Sequence, residues 1–583
     1  MKSKAFAGLM ATLLLVGMML YALPVKAAFD DEIRIGIIGP VGLPHWSPAG
    51  MKEAAEMAAR EINDAGGVVL ADGRSYEVKI ITADENALPV PNPDAARAET
   101  LRLITQEKVH FIIGGFRTEV TTAILETCAE NKMPFFIDGS STTELLKDTV
   151  GADYPTYKYI FRNMPLPSVP GLFGTICAWV QFIVATKLLP IYGYVHEGMP
   201  VTRPQVDVAV VTEDLAWTTS MHIAFTDPTK YAAPQPGYPN GYLGPYVNVT
   251  YNARIPETAT DVTSWLNAVK DSGARILIHE FSGRAGLPLI IQWKELGLDC
   301  LPIGINVLAQ IQDHWTNTLG KCQYETVMNP TGTGTPVMPG TTDVFWNNFV
   351  GNYSKWPIYT AFGMYDTIKG MTDPTNPGSW MAGGWDTVNY LADRDDGVIN
   401  NQTALDKVIT TIEATDRTDA ILGHFKYTTL NPYNPIGLWW PHDVYFSASS
   451  MNYSWDREWT RGCMIQWQVV SGQSSMEVVD PINQLYSKKY KLLPSSYPAG
   501  YETMADTDTV AVPGYTAGID GTIDATDIAY VTGATWLSKP GDAAFNYNGD
   551  LDSNNIINII DVAKIGRDWD KSVVYANGEI TLP

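Results

Sequence analysis

Cysteine is scarce in this sequence, with five residues in 583. That number is too small for a disulfide framework, and no two cysteines have the C-x-x-C spacing of a zinc site. Segments of the types G-x-S-x-G, H-E-x-x-H and G-x-x-x-x-G-K-[ST], which carry nucleophilic, zinc and phosphate chemistry, are also missing. These absences favour a binding protein over an enzyme.

Positive charge is the second shortage. The chain has 40 Lys and Arg residues against 63 Asp and Glu residues, which gives a formal net charge of −23. Because affinity for nucleic acid rests on concentrated Lys and Arg, we expect no nucleic-acid partner. Apolar residues make up 45% of the chain and charged residues 18%, as is typical of folded domains with sizeable cores.

Residues 1–27 have the pattern of a secretory signal peptide. Lys2 and Lys4 precede an uncharged stretch over 5–25, and Ala27 supplies a small residue for cleavage. The alternative is an uncleaved anchor, because about twenty apolar residues also span a bilayer. In either case we expect a secreted or cell-surface protein, which contacts the membrane only through the leader if that leader stays uncleaved.

From residue 33 onwards, short apolar runs alternate with segments of helical periodicity. We predict strands at 33–38, 78–82, 109–114, 135–137, 206–211, 247–251, 276–279 and 302–305. The predicted helices begin at 51 and end before Gly66, and then cover 95–106, 120–131, 262–271 and 287–296. A connecting stretch lies around 161–170. This alternation predicts an α/β fold with doubly wound parallel sheets, arranged as two lobes.

The chain changes character towards its C-terminus. A Pro- and Tyr-rich run over 486–513 is typical of a linker, and the segment 514–572 that follows it is rich in Asp, Asn, Gly and Ile. Residues 573–583 form a short tail. We therefore expect a small module to follow the two-lobed body.

Residues 550–561 have the spacing of a calcium-binding loop. Oxygen ligands at positions 1, 3, 5, 7, 9 and 12 suit the six to eight oxygens that Ca²⁺ requires. They are the side chains of Asp550, Asp552, Asn554, Asn558 and Asp561 and the carbonyl of Ile556. A weaker second loop upstream retains Asp520, Asp524 and Asp527. We predict Ca²⁺ as the cofactor of the first loop, and binding at the second stays open.

Two such loop-helix segments in tandem, over 514–571, resemble a type I dockerin. Dockerins are small modules that dock on cohesins in extracellular assemblies. The resemblance implies a small α-helical calcium-loop module and a cohesin-like partner. In that family positions 10 and 11 of each repeat face the cohesin, and here they are Ala525-Thr526 and Ile559-Ile560.

The body resembles the leucine/isoleucine/valine-binding family of type I periplasmic binding proteins, the receptors of ABC transporters. The resemblance rests on collinear segments between residues 30 and 481, among them EINDAGGV, HFIIGGFRTEVTTA, MPFFIDGSSTTELL and WKELGLDCLPIGIN. It implies a clamshell over 28–485, in which lobe 1 takes about 30–160 and 335–430 and lobe 2 about 161–334 and 431–485. It also implies an ABC permease as partner and a small polar solute as ligand: an amino acid, a carboxylate or an amide.

The same resemblance implies a set of ligand-binding positions. In this family the ligand carboxylate meets a hydroxyl and backbone N–H groups at two helix N-termini, which attract anions for physical reasons. The matching residues, with the aromatic positions, are Trp46, Thr118, Ser140, Ser141, Trp217 and Phe281. A purely capping role stays open for Thr118 and for Ser141, since Ser141 and Glu144 have the spacing of a capping box.

One position departs from the family pattern. Amino-acid-binding relatives have a glutamate after the strand at 302–305, where it holds the ligand ammonium, whereas this chain has Asn306. We keep Asn306 among the ligand-binding candidates, although its identity counts against an α-amino acid. The alternative carboxylates for the ammonium are Glu280, Glu213 and Asp214. Arg117 either favours a more acidic solute or faces solvent.

Two of the cysteines have a candidate pairing. Cys300 and Cys322 precede two strands that we expect to be neighbours in a sheet. Because the expected compartment is oxidising, we predict a disulfide between them, with at least one of the five cysteines unpaired.

Two classes of function follow from these patterns. In the first, the protein is an extracytoplasmic receptor that captures a solute for an ABC importer and is tethered or assembled through the calcium-dependent module. In the second, it is a structural protein of the cell surface, which reuses the clamshell as a building block and docks on a cohesin-like partner. An enzyme on the same fold is the weakest alternative.

Overall fold

The computed structural model describes residues 29–40, 50–86, 90–184, 188, 206–227, 243, 247–329, 340–421, 423–428, 440–444, 463–470, 472–479, 574–576 and 579–581. Within these ranges the chain forms two α/β lobes, each built on one β-sheet. The leader, the linker and both calcium loops lie outside the described residues. None of the described helices combines the length and the hydrophobicity that a membrane crossing requires.

The first lobe contains a six-stranded sheet in the order β2-β3-β1-β4-β5-β6. All pairs are parallel except β2 with β3. Its strands are β1 (Asp31–Gly39), β2 (Val68–Val69), β3 (Ser75–Asp84), β4 (Phe111–Gly114), β5 (Phe135–Asp138) and β6 (Ile160–Met164). Its N-terminal helices are α1 (Met51–Asp64), α2 (Pro93–Thr105), α3 (Thr118–Glu130), α4 (Glu144–Lys147) and α5 (Tyr154–Tyr157).

Hydrophobic periodicity explains the centre of this lobe. Ile33, Ile35 and Ile37 of β1 are fully buried, because the strand lies between β3 and β4 and is covered on both faces. Helix α1 buries Met51 and several alanines at helical spacing, as the sequence predicts. The predicted strands and helices of the first part are confirmed, with small shifts at their ends.

Strand β6 differs from the prediction, which had a connecting stretch there. Two polar residues, Arg162 and Asn163, stand inside the five-residue strand and are fully buried. The guanidinium of Arg162 is held by the carboxylate of Asp443, with 2.9 Å between Nε and Oδ1. These polar residues do not fit the apolar pattern of a buried strand, so the sequence did not indicate one. Asp443, the partner that permits the burial of Arg162, lies far along the chain.

The second lobe contains a seven-stranded sheet in the order β15-β14-β11-β10-β9-β7-β8. Strands β7 to β11 run parallel, whereas β14 and β15 are antiparallel, so this sheet is mixed and not wholly parallel as predicted. Its strands are β7 (Val206–Glu213), β8 (Val247–Ile255), β9 (Ile276–Phe281), β10 (Leu301–Asn306), β11 (Thr326–Asn329), β14 (Cys463–Val470) and β15 (Gln473–Val478). Its helices are α6 (Phe173–Ile183), α7 (Ala216–Thr226), α8 (Thr263–Asp271), α9 (Gly286–Glu295) and α10 (His314–Asn317).

After β11 the chain returns to the first lobe before β14 joins the second sheet. The returning elements are α11 (Thr342–Tyr353), α12 (Tyr359–Thr372), α13 (Trp385–Asp396), α14 (Gln402–Glu413), β12 (Asp416–Ala420) and β13 (Gly423–Lys426). Residues 440–444 also pack on the first lobe, since the Arg162 N–H donates to the His442 carbonyl. The expected lobe boundary at 431 therefore lies too early. A separate hairpin pairs β16 (Val574–Ala576) with β17 (Glu579–Thr581).

The predicted disulfide is wrong. Cys300 and Cys322 are both free thiols in the structure. Strands β10 and β11 are neighbours as expected, but the two side chains pack into different apolar clusters. Adjacent strands do not suffice for a disulfide, because the Cβ atoms must also point towards each other.

Candidate functional site

A cleft lies between the two lobes and is lined by side chains of both. Clefts between domains are common places for small-molecule sites. The first lobe and its returning segment contribute Phe116, Arg117, Thr118, Glu119, Gly139, Ser140, Ser141, Met164, Pro165, Leu166 and Tyr359. The second lobe contributes Leu172, Leu215, Trp217, Ser282, Ile305, Val307, Gln310, Met328 and Asn329. The lining is therefore largely apolar, with its polar groups concentrated at a few positions.

Thr118 begins helix α3 directly after the turn that follows β4. Its hydroxyl lies 2.6 Å from that of Thr142. The backbone N–H of Phe116, two residues earlier, donates to the carboxylate of Glu85 at 2.6 Å. The chain thus places a carboxylate of its own beside this helix N-terminus, where the sequence led us to expect only the carboxylate of a ligand.

Glu85 is fully buried, and its second carboxylate oxygen has no hydrogen-bond partner among the described residues. Burial raises the pKa of Glu85 to about 8, and the N–H groups that it accepts from act in the opposite direction. The side chain is therefore largely protonated near neutral pH. A neutral carboxyl group at this place adds no repelling negative charge to the neighbouring cleft.

Ser140 and Ser141 follow β5 and have different tasks. The Ser140 hydroxyl donates to the Phe116 carbonyl at 3.1 Å and lies 2.7 Å from the Thr121 hydroxyl. The Ser141 hydroxyl, by contrast, makes no hydrogen bond to the described part of the chain, although Ser141 lines the cleft. Ser141 is thus the residue of the pair with a hydroxyl left for a solute.

The capping box expected at Ser141 and Glu144 is not formed. Helix α4 is a single turn of four residues that begins at Glu144, and its N-cap residue is Thr143. No side chain caps this turn; the Thr143 hydroxyl donates instead to the Val169 carbonyl at 2.7 Å. The hydroxyl-rich segment after β5 is therefore tied to the crossover that leads into the second lobe.

Arg117 lines the cleft and is 6% exposed, so its side chain does not face solvent. Its Nη1 atom lies 3.0 Å from the carboxylate of Glu257, which follows β8 in the second lobe. Its Nε atom lies 3.6 Å from Glu119. Two carboxylates therefore surround one guanidinium, and the cleft carries no surplus of positive charge at this place.

Trp217 supplies the second lobe's large aromatic side chain. Its indole N–H donates to the buried carboxylate of Glu213 at 2.6 Å. That carboxylate also accepts the Ser282 and Gly283 backbone N–H groups, at 2.7 and 2.8 Å, and the Ser282 hydroxyl. Burial raises the pKa of Glu213, and these hydrogen bonds counteract the rise. The indole is consequently held in one orientation beside the cleft.

Phe281 and Asn306 do not line the cleft. Both are fully buried at the ends of β9 and β10, whereas their sequence neighbours Ser282, Ile305 and Val307 reach the cleft. The Asn306 carboxamide caps the turn after β10 and donates to the carboxylate of Glu325 at 2.9 Å. Successive side chains of a strand point in opposite directions, so a shift of one position removes a residue from the site.

The three alternative carboxylates for an ammonium group are also placed unfavourably. Glu213 has its oxygens occupied by the Trp217 and Ser282 groups, and Asp214 pairs with Arg254 at 2.8 Å. Glu280 is fully buried and is not among the lining residues; burial raises its pKa well above the usual range, and the nearby Glu213 adds to the rise. None of the three offers the cleft a free carboxylate.

Several lining residues escaped the sequence analysis because they lie in segments without a local motif. Tyr359 begins α12 and donates to the Gly139 carbonyl at 3.1 Å. Gln310 lines the second lobe's side, and its carboxamide oxygen has no hydrogen-bond partner within the described residues. Only the fold brings these residues to the cleft.

Two parts of the predicted site cannot be placed. Trp46 and all of the calcium ligands lie outside the described residues. Within the described ranges there is no cluster of three or more His, Cys, Asp or Glu side chains suited to a metal ion. The predicted metal site therefore concerns the C-terminal segment alone.

Comparison with known proteins identifies the class to which this architecture belongs. The sequence profile of the family described as periplasmic binding protein matches residues 32–335, more than half of the chain. The chain therefore belongs to the periplasmic binding protein family. Membership of this family implies an extracytoplasmic location. No curated protein sequence matches the chain.

Solved structures show the same fold. A branched-chain amino acid transporter substrate-binding protein from Streptococcus pneumoniae, in complex with isoleucine, superposes with a TM-score of 0.51 and 14% identity, over 77% of this chain and 100% of that one. A solute-binding protein of an ABC transporter from R. palustris, in complex with 4-hydroxybenzoate, gives 0.52 and 15%, over 77% and 96%. A putative branched-chain amino acid ABC transporter protein from Silicibacter pomeroyi gives 0.57 and 13%, over 80% and 100%.

Proposed function

We propose that this protein is an extracytoplasmic receptor that captures a small solute in the cleft and delivers it to an ABC permease. The observation that carries the proposal is the cleft itself: it lies between two lobes of the periplasmic binding protein family and is lined by side chains of both. The compared structures are substrate-binding proteins, and their bound solutes, isoleucine and 4-hydroxybenzoate, are both small carboxylates.

The polar groups of the cleft favour a solute with an apolar body and a single carboxylate. The Ser141 hydroxyl, which has no hydrogen-bond partner among the described residues, is a donor for one carboxylate oxygen, and most other lining residues are apolar. A second acidic group would need the Arg117 guanidinium, which Glu257 and Glu119 already surround. A solute ammonium would need a free carboxylate. Glu213, Glu280 and Asp214 offer none, and Glu119, which lines the cleft, faces Arg117. Gln310 offers a neutral acceptor on the opposite lobe.

Four probes test this proposal by thermal melting of the full chain: isoleucine, 3-methylpentanoate, 4-hydroxybenzoate and terephthalate. The second is isoleucine without its ammonium group, and the fourth carries a second carboxylate. A solute that binds only the folded state raises the melting temperature, and at about one hundred times its Kd it adds about 2.7 kcal/mol of stability.

We expect the two monocarboxylates without ammonium to raise the melting temperature more than the other two probes. A rise with isoleucine but not with 3-methylpentanoate would show that the site recognises an ammonium group after all. A rise with terephthalate alone would show that Arg117 serves the solute. If none of the four probes shifts the melting temperature, the receptor proposal fails and the assembly role becomes the better account.

A second role, tethering or assembly through a calcium-dependent module, is favoured by the oxygen ligands of 550–561. Three aspartates and two asparagines with one backbone carbonyl form a donor set that suits Ca²⁺. The acidic side chains repel one another without the ion, and a segment of about sixty residues has a small core. A cohesin-like partner would meet this module at Ile559 and Ile560.

Calcium content and proteolysis of the full chain test this second role. We expect the chain to bind Ca²⁺ at a stoichiometry of at least one, and chelation to make 514–571 susceptible to protease while the two lobes stay intact. Asp550→Ala should reproduce the effect of chelation, because it removes the ligand at position 1. Equal calcium content in the wild type and in Asp550→Ala would refute the assignment of the loop.

A further inference from the structure

We propose that Arg117 and Glu257 form a latch that holds the two lobes together across the cleft, even when no solute is bound. Arg117 stands at the start of α3 in the first lobe, and Glu257 follows β8 at the edge of the second sheet. Their Nη1 and Oε2 atoms are 3.0 Å apart. The inference concerns closure itself and does not depend on which solute the cleft accepts.

The position of the pair in the molecule supports this role. Of the ion pairs formed between described residues, Arg117–Glu257 is the one that joins the first lobe to the second; the others stay within a lobe. Helix α3 also contacts helix α7 of the second lobe, and the hydroxyls of Ser168 and Ser220, 3.1 Å apart, lie beside a crossing segment. A contact beside a crossing segment persists when a hinge opens, whereas a contact across the cleft does not.

Both partners are held in place from their own side. The Arg117 side chain is nearly fully buried, and its carbonyl accepts the Val120 and Thr121 backbone N–H groups at the start of α3. The Glu257 carbonyl accepts the backbone N–H of Ala285 at 3.2 Å. A side chain on Gly283 would come within 3.0 Å of the Glu213 carboxylate and 3.4 Å of Glu257, so the loop lies close to both.

This loop links the latch to the wall of the cleft. Glu213 accepts the Ser282 and Gly283 backbone N–H groups and the indole N–H of Trp217. The Arg117–Glu257 pair therefore lies beside a loop that hydrogen-bonds to the Glu213 carboxylate. The indole of Trp217, which lines the cleft, hydrogen-bonds to the same carboxylate. Glu257 is thus a positioning residue: it acts on the cleft through Arg117 and through this loop, while other side chains form the cleft lining.

Distances between spin labels on the ligand-free full chain test the latch. Thr122 on α3 and Asn267 on α8 are exposed and lie on different lobes, so cysteines introduced there report the separation of the lobes. Cys128, Cys177, Cys300 and Cys322 are buried, and Cys463 is replaced by serine in the labelled background. The measured quantity is the ratio of the short to the long distance population.

We expect Glu257→Gln to reduce the closed-to-open ratio about tenfold, because it leaves the Arg117 charge without its partner in the closed form. Arg117→Gln should have the same effect, whereas Arg117→Lys should retain much of the closed population. The charge swap Arg117→Glu with Glu257→Arg should restore closure. Glu295→Gln, which breaks a pair with Lys321 inside the second lobe, is the matched control and should change nothing.

The readout separates a latch from a merely structural contact. Circular dichroism identifies variants that have lost the fold, and these are excluded from the comparison. If folded Glu257→Gln and Arg117→Gln both show the distance distribution of the wild type, the latch does not exist. Since no solute is added, this outcome leaves the receptor proposal untouched; conversely, failure of every solute in the melting experiment leaves the latch intact.

Discussion

The two lobes each bury a carboxylate, and the two carboxylates have opposite acidities. Glu85 in the first lobe and Glu325 in the second are both fully buried. Burial raises the pKa of Glu85 to about 8. Burial acts in the same direction on Glu325, yet the charges and hydrogen bonds of His314 and His279 hold its pKa at about 2.

The difference lies in the partners. Glu85 accepts backbone N–H groups, and one of its oxygens has no partner in the part of the chain that the structure describes. Glu325 is 2.6 Å from His314 Nε2 and 3.3 Å from His279 Nε2, and it accepts the Asn306 amide at 2.9 Å. Both carboxylates are removed from water, yet Glu325 is ionised at neutral pH and Glu85 is largely protonated. A carboxylate stays ionised in the protein interior only where cations and hydrogen-bond donors replace its hydration.

The largest expected effect comes from Glu85→Gln. The folded state retains a proton that the unfolded chain releases above its ordinary pKa of 4.5, so the wild type loses stability as the pH rises from about 4.5 to about 8. The variant lacks this loss and should be more stable at pH 8.5, by at most about 5 kcal/mol, with little difference at pH 4.5. Denaturant unfolding at the two pH values measures it. A difference that is the same at both pH values would contradict the elevated pKa.

Glu325→Gln should lower the stability of the protein, whereas Glu85→Gln should raise it. It leaves His279 and His314 buried without their carboxylate, which destabilises the second lobe by about 3 to 5 kcal/mol at neutral pH. The wild type should lose this contribution to its stability as the pH falls from about 4.5 towards about 2. The interactions that lower the pKa of Glu325 stabilise the folded protein only while this carboxylate is ionised. Calorimetry of the variant and of the Glu295→Gln control checks it. Equal melting temperatures would mean that the histidines do not depend on the charge.

Trp217→Ala should lower the affinity for the solute found by the melting experiment about thirtyfold, or about 2 kcal/mol. The reason is that the indole is the largest second-lobe side chain of the cleft lining. Tryptophan fluorescence should change on binding in the wild type and much less in the variant. Trp217→Phe, which keeps an aromatic ring but loses the hydrogen bond to Glu213, is the matched control. A full fluorescence response in Trp217→Ala would remove Trp217 from the site.

Ser141→Ala should have the smallest effect, a loss of about 1 kcal/mol or fivefold in affinity, because it removes one hydroxyl donor to the solute. Its stability should stay unchanged, since that hydroxyl has no partner within the described residues. Ser140→Ala is the contrasting variant: it should lower the melting temperature, because its hydroxyl bonds to Phe116 and Thr121. Isothermal titration measures the affinity and melting measures the stability of both variants. If Ser140→Ala lowered the affinity and Ser141→Ala lowered the melting temperature, the roles assigned to the two serines would be reversed.

The family resemblance allowed part of the site to be predicted. It implied Thr118, Ser140 and Ser141, in the segments that follow β4 and β5, and all three line the cleft. Trp217 lies there as well. Whether these residues bind a solute stays a prediction. Phe281 and Asn306 were misplaced by a single position, since the sequence alone does not show which side chain at the end of a strand faces the cleft.

The sequence by itself determined the alternation of strands and helices, the two-lobed α/β fold and the place of the hydroxyl-rich segments, because each depends on residues that are close together in the chain. The tertiary structure alone decided that Arg117 meets Glu257, that Arg162 can be buried inside β6, and that Cys300 and Cys322 stay apart. It also decided the opposite acidities of Glu85 and Glu325. Charge and pairing depend on distances between segments far apart in sequence, and these distances exist only once the lobes have formed.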